Sequence, residues 1–149
     1  MKVCAFTGHR RLAGYGFDEH LLERVVLNLV KNGVNRFLCG MAIGFDMKAA
    51  QAVLALKESY DIELVACLPC VNQSEMYSAR DKQTYNEILK RCDEIIVLER
   101  EYTSGCMFKR DRYLVDNSDT LVCFLRKKTG GTHYTVNYAK KTGKKIIEL

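Results

Sequence analysis

Four short stretches carry the residues best suited to chemistry on a charged ligand. Thr7-Gly8-His9-Arg10-Arg11 combines a hydroxyl, a glycine that lets backbone approach closely, and two fixed positive charges, all of which suit a phosphate. Gly40-Met41-Ala42-Ile43-Gly44-Phe45-Asp46 is a glycine-spaced loop running straight into Met47-Lys48-Ala49-Ala50. Such a loop opening a helix turns unpaired N–H groups and the positive end of the dipole toward an anion. Asp46 falls in the first turn, where it either caps the helix, accepts hydrogen bonds from a sugar hydroxyl, or works as an acid/base. The spacing departs from G-x-G-x-x-G, so a dinucleotide fingerprint is not supported.

Two further stretches add to these. Glu101-Tyr102-Thr103-Ser104-Gly105 leads into a helix bearing Arg110 and Arg112. Tyr102 offers a ring on which a base can stack, and either arginine offers a planar fork to a phosphate, against the ordinary alternative of a solvated helix arginine. Thr129-Gly130-Gly131-Thr132-His133-Tyr134-Thr135 again sets glycines and hydroxyls at a helix start, as a phosphate-cradling nest or a plain turn does.

These loops need a scaffold that brings them together, and the apolar pattern supplies one. Strands are expected at Lys2–Phe6, Asn35–Cys39, Ile62–Cys67, Glu94–Leu98, Thr120–Leu125 and Lys144–Glu148. Between them, Leu22, Val25, Val26 and Leu29 keep helical spacing after Asp18 as N-cap and before Gly33. Helices also follow at Phe45–Tyr60, around Tyr85, Ile88, Leu89 and Cys92, over about 107–117, and at His133–Lys141, which Gly143 stops. Continuously apolar strands are buried on both faces, as in a parallel sheet covered by helices. The expectation is an α/β fold, a Rossmann-like three-layer sandwich around a mainly parallel, doubly wound sheet. In such sheets ligands collect at the carboxyl ends of the strands, where all four stretches fall.

Composition narrows the function classes. A chain of 149 residues, 48% apolar and with one proline, can bury one sizeable core, so residues 1–149 are read as one ligand-binding domain. No apolar window approaches a membrane span, and the N-terminus lacks a signal-peptide layout, so a soluble cytoplasmic protein is expected. The seven cysteines lie mostly in apolar runs and read as small hydrophobes. Cys67-Leu68-Pro69-Cys70 has C-x-x-C spacing where a strand should give way to a loop, and a redox or metal role is its alternative reading. No histidine pairs with it, so no metal or cofactor is expected. The net charge of +5, crowded into Arg126, Lys127, Lys128, Lys140, Lys141, Lys144 and Lys145, favours anionic partners without separating a mononucleotide from a nucleic acid.

Taken in order, the motifs resemble the YpsA-like branch of the SLOG superfamily. The matching runs are Phe6-Thr7-Gly8-His9-Arg10, Gly40 to Asp46, Leu68-Pro69-Cys70 with Gln73, Tyr102, and Met107-x-x-Arg110-Asp111. Ser118-Asp119 and Gly130-Gly131-Thr132-x-Tyr134-Thr135-Val136-x-Tyr138-Ala139 complete them. The resemblance covers nearly the whole chain and implies a Rossmann-like fold that holds a nucleotide or nucleotide-derived ligand, as sensor or sequestering module. The implied ligand-binding residues are Thr7, Gly8, His9, Arg10, Gly40, Gly44, Asp46, Tyr102, Arg110, Gly130, Gly131, Thr132, Tyr134 and Thr135.

Two other relatives supply alternatives. The Lonely-guy phosphoribohydrolases pair a Met-x-x-Arg-Lys run with a Gly-Gly-x-Gly-Thr-x-x-Glu loop, and Arg110 matches their arginine. His133 stands where the third glycine would be, and Val136 and Asn137 stand where the glutamate pair would be. If the chain is an enzyme on an N-glycosidic bond, Arg110 and Asp46 are its catalytic candidates. DNA-processing protein A supplies a nucleic-acid-binding alternative, which the charge fits but no helix-turn-helix or zinc finger accompanies. No membrane partner is expected, and self-association into a homo-oligomer stays open.

Overall fold

Residues 2–149 are described in a computed structural model, and strands and helices alternate along them. The order is β1 (Lys2–Gly8), α1 (Glu19–Lys31), β2 (Val34–Cys39), α2 (Phe45–Lys57), β3 (Glu63–Cys70), α3 (Ala79–Arg91), β4 (Glu94–Glu99), α4 (Cys106–Asp116), β5 (Thr120–Phe124), α5 (Gly131–Lys141) and β6 (Lys145–Glu148). The strands form one sheet in the order β4-β3-β2-β1-β5-β6, and every pairing is parallel.

Alternation along each strand sorts the core into two layers. Cys4, Phe6, Phe37, Cys39, Leu64, Ala66, Val122 and Phe124 pack with apolar residues of α1, α2 and α3. The residues between them, Ala5, Leu38, Val65, Cys67, Leu121 and Cys123, pack with Leu114 and Val115 of α4 and Val136 and Ala139 of α5. Strand side chains alternate faces, so a strand in the middle of a three-layer sandwich must be apolar at every position. This is the expected doubly wound, Rossmann-like sheet. The chain steps from β1 out to β4, then crosses back to place β5 on the other side of β1. The loops after β1 and β5 therefore diverge, and a crevice opens between them at the carboxyl edge.

Local signals set most element ends. The Asp18 side chain accepts from Leu21 N–H at 3.1 Å, and Leu22, Val26, Leu29 and Val30 form the buried stripe of α1. α2 lies between α1 and α3, and its small residues Ala49 and Ala50 let it sit close to the sheet. The outer strand β4 departs from two-faced burial. Ile95 and Val97 remain 47% and 43% exposed, because an edge strand has one neighbour and α3 does not reach over it. β3 also runs on to Cys70, so both cysteines of the C-x-x-C lie within a regular strand. Three residues along a strand put them ~10 Å apart on opposite faces, beyond disulfide reach. Among the described residues no group of three metal-ligating side chains forms, and all seven cysteines are free.

Gly44 is where the fold tolerates no side chain. It has φ +80°, and a Cβ there would lie 2.2 Å from the carbonyl oxygen of Arg10. Gly44→Ala is therefore expected to lower stability by about 2–4 kcal/mol, through left-handed strain and displacement of the β1–α1 loop, read from urea unfolding.

Candidate functional site

All five helices start at the carboxyl edge of the parallel sheet, and their N-caps are of two kinds. α1 and α3 are capped by the side chains of Asp18 and Ser78. α2, α4 and α5, which all start at the carboxyl edge near the crevice, have Gly44, Gly105 and Gly130 as N-caps and no side-chain cap bond. The first N–H of α2 is taken by the His9 carbonyl and that of α4 by the Thr103 carbonyl, both at 3.1 Å, and no such loop bond is made by the first N–H of α5. Between them lies a cleft of about 500 Å³, walled by the loops after β1, β4 and β5. That volume suits a small-molecule ligand.

Asp46 and Arg110 form the polar floor. Arg110 is 5% exposed and donates from Nε to Asp111 Oδ1 at 2.9 Å, from Nη1 to the carbonyl of Gly40, and from Nη2 to the sulfur of Met107. Burial works against its charge, but the carboxylates of Asp111 and Asp46 outweigh it and raise its pKa. Asp46 accepts the N–H of Ala42 on Oδ2 at 3.1 Å, while its Oδ1 is buried with no hydrogen-bond partner. Burial pushes this carboxyl up to about 6, against the opposing pull of Arg110 and the Ala42 N–H. Asp111 is raised by burial too, with Arg110 pulling the other way. Asp46 is thus a desolvated carboxyl in the cleft lining, with one oxygen that no protein donor satisfies.

The turn that aims Ala42 at Asp46 passes through Met41, a fully buried residue at φ +62°. A non-glycine residue there holds strain of about 1–3 kcal/mol, such as is found where backbone serves a site. The strand–helix loop signalled only a glycine-spaced turn and gave no hint that Met41 would carry the left-handed angle.

The structure places the expected residues in two groups. Thr7, Gly8, His9, Arg10, Asp46, Tyr102, Arg110, Gly130, Gly131 and Thr132 all line the cleft, although they come from five separate segments. Arg10 is exposed and its side chain has no hydrogen bond or ion pair among the described residues. His9 is a strut as well as a wall. Its Nε2 accepts the Arg126 N–H at 2.7 Å, tying the loop after β5 to β1, and burial, then the charges of Lys127 and Arg126, lower its pKa.

Gly40, Gly44, Tyr134 and Thr135 sit behind or beside the cleft. The Gly40 carbonyl holds both Arg110 and the amide of Gln73, and a Cβ on Gly40 would meet the Arg110 guanidinium at 2.8 Å. Tyr134 accepts from Arg112 at 2.8 Å and packs its ring against Phe108 and Tyr138 along the α4–α5 face. Thr135 is buried, with its hydroxyl on the Gly131 carbonyl at 2.7 Å. Asn137 is exposed, its amide 3.3 Å from His133 Nε2, and does not line the cleft.

Sequence reasoning missed Met107, Phe108, Lys127 and Thr129 as wall residues. Their one signal was position, beside Gly105 and Gly130. The basic residues of the last quarter also separate. Arg126 spends its guanidinium on the carbonyls of Tyr15, Leu125 and Leu149. Lys127 faces the cleft, whereas Lys140 and Lys141 end α5 and Lys145 begins β6, at the opposite edge of a parallel sheet.

Comparison with known proteins agrees with this architecture. The chain is 32% identical over 137 residues to the SPbeta prophage-derived protein YoqJ of Bacillus subtilis, covering 83% of this chain and 80% of YoqJ. It is 27% identical over 156 aligned positions to a UPF0398 protein of Bacillus cereus, covering 96% and 85% of the two chains. Among solved structures it is similar to the single-stranded-DNA-binding DNA processing protein A of Helicobacter pylori, at TM-score 0.72 and 20% identity. The protein of the same name from Streptococcus pneumoniae gives 0.73 and 18%. These alignments cover 99% of this chain but 64% and 50% of the longer DNA processing proteins, and at that identity they establish the fold alone. None of the described helices is long and apolar enough to cross a membrane. The YpsA family model, described as the YspA SLOG family, matches residues 14–147. The chain belongs to the YpsA family of SLOG proteins.

Proposed function

We propose that residues 1–149 act as one domain that binds a phosphorylated nucleoside or a derivative of one in the cleft between β1 and β5, as a sensor or sequestering module. One observation carries the reading: Asp46, a buried carboxyl with one oxygen that no protein donor satisfies, is among the residues lining the cleft. Leaving a buried acceptor unsatisfied costs about 1–3 kcal/mol, more when it is charged, so a fold retains one where a ligand supplies the donor. A ribose hydroxyl is a donor of that kind. The phosphate belongs on the side of Arg10, Lys127 and the uncapped start of α5 at Gly130-Gly131-Thr132. Tyr102, 63% exposed at the rim, offers its face to a base.

A screen of nucleoside mono- and diphosphates, cyclic nucleotides, ADP-ribose and NAD by thermal unfolding tests this. At least one is expected to raise the melting temperature, with a gain of ~2.7 kcal/mol at a hundred times its dissociation constant. No shift from any of them, on protein stripped of ligand by denaturation and refolding, contradicts it.

A second reading, nucleic-acid binding, is favoured by the likeness to DNA processing protein A. It predicts oligonucleotide binding that survives ~150 mM salt, where the Debye length is about 8 Å. The cleft reading predicts that oligonucleotide binding fades by that salt while the small ligand stays bound.

A further inference from the structure

The ligand cleft does not end at Arg10. A second hollow of about 480 Å³ lies between the loop after β3 and the start of α3, and Arg10, Tyr102 and Met107 line both spaces. The two lobes are one groove running along the carboxyl edge of the sheet, with Arg10 on the shared wall. Their chemistry differs. The main lobe has backbone N–H groups of an uncapped helix, Lys127 and the unpartnered Asp46 oxygen. The second lobe has no cation besides Arg10; its charged groups are the carboxylates of Glu75 and Asp81. Its apolar wall includes Met76, which is 92% exposed, facing the same space as Tyr102.

Glu75 accepts from the Asn72 amide at 3.1 Å, but Arg10 and Met76 are left unused within the described residues. Arg10 pairs with no carboxylate, although acidic groups lie in both lobes. Met76 leaves nearly all its surface in water, where an exposed methionine contributes nothing to the core. Gln73 differs: its amide is committed to the Gly40 carbonyl and to the Tyr85 hydroxyl at 3.0 and 3.3 Å, which fixes the floor of the second lobe. A rigid, acidic, partly apolar hollow accepts a ring that donates hydrogen bonds, such as a polyhydroxylated sugar or an amino-bearing base. It repels a phosphate.

From this we infer that the ligand has two ring-bearing ends joined by a diphosphate. One sugar hydroxyl lies on Asp46, the bridge lies on Arg10, and the second ring lies between Met76 and Tyr102 with its donors on Glu75 and Asp81. The inference rests on the proposed nucleotide-binding role of the main lobe and goes beyond it in naming the class: a nucleoside diphosphate esterified to a second ring, not a mononucleotide.

Titration calorimetry with four probes tests it: ADP against ADP-ribose, and UDP against UDP-glucose. At least one two-ring probe is expected to bind tenfold or more tightly than its parent diphosphate. The double variant Glu75→Gln, Asp81→Asn is expected to bring that ratio close to one while leaving the parent diphosphate's dissociation constant unchanged. Glu75 is exposed and Asp81 half-buried in the first turn of α3; both substitutions keep the N-cap Ser78, and circular dichroism checks the fold. If a diphosphate binds and neither two-ring probe improves on it, the inference is overturned and the nucleotide reading stands. A ratio that survives the double variant overturns the inference in the same way. If no probe binds at millimolar concentration, the inference falls, and the reading beneath it is decided by the wider thermal screen.

Discussion

Arg110→Ala is expected to destabilise the protein by about 3–5 kcal/mol at pH 8, the usual cost of removing one partner of a buried ion pair. The loss exceeds that of one hydrogen bond because Arg110 holds three things together. Its Nε satisfies Asp111, its Nη1 satisfies the Gly40 carbonyl, and its charge offsets Asp46. Without it, two buried carboxylates face each other uncompensated, and the cheapest response is to take up protons. The variant should therefore recover part of its stability at pH 5, where protonation of Asp46 and Asp111 is easier. Arg110→Lys keeps the charge but not the planar fork, and should fall between the two. Urea unfolding at both pH values measures this. A cost below about 1 kcal/mol at pH 8 would mean that the arginine is dispensable to the fold.

Asp46→Asn is expected to do the opposite to stability and to damage binding. Burial raises the folded pKa to about 6, whereas an unfolded aspartate titrates near 3.9. The folded state thus binds the proton more tightly, and the ionised carboxylate weakens the fold at every pH above about 6. That penalty is relieved as pH falls through 6 and is gone below about 4, where both states are protonated. A tenfold difference in proton affinity between the folded and unfolded states is worth about 1.4 kcal/mol, so the asparagine variant should gain roughly 1–3 kcal/mol at pH 8 and almost nothing at pH 4. The same change replaces a hydroxyl acceptor with an amide. Affinity for the nucleotide should drop by about 1.5–3 kcal/mol, the worth of a hydrogen bond to a charged group. A residue whose removal stabilises the fold and weakens the ligand is held in place for the ligand. An asparagine variant that is less stable at pH 8 and binds as before would make Asp46 an ordinary helix-start residue.

The architecture was legible in the sequence because the signals were redundant. Strands such as Cys4-Ala5-Phe6 are apolar at every position, which only a sheet covered on both faces requires, and the loops after them carry glycines. β4 was legible as a strand but not as an edge. Glu94-Ile95-Ile96-Val97-Leu98 reads like the buried strands, and its exposure follows from strand order, which local pattern does not encode.

For the site, loops singled out in the sequence do meet at one cleft, but the contacts of individual residues were less legible. Gly40 and Gly44 matched a phosphate loop in spacing, yet their missing Cβ atoms make room for Arg110 and for the Arg10 carbonyl. Arg110 looked like a phosphate fork and is committed to Asp111 and Gly40. Among the described residues Arg10 lines the cleft without a hydrogen bond or ion pair, and the pattern ranked it with its neighbour Arg11. Tyr134 was among the implied ligand-binding residues and is packed into an aromatic row on the α4–α5 face. Such roles depend on which of several nearby groups reaches a partner first, and that is set by packing between elements distant in sequence. The basic residues after Arg126 likewise looked like one patch until the parallel topology sent them to opposite edges of the sheet.

The central claim is that the Asp46 carboxylate accepts a hydroxyl of a phosphorylated nucleoside, and a crystal structure of the complex tests it most directly. With the tightest nucleotide from the thermal screen, a ligand hydroxyl should lie within about 3 Å of an Asp46 carboxylate oxygen. A phosphate should lie against Arg10 and the first-turn N–H groups after Gly130. A nucleotide bound elsewhere, or one in the cleft with no donor on the Asp46 carboxylate and no phosphate at either position, contradicts the claim.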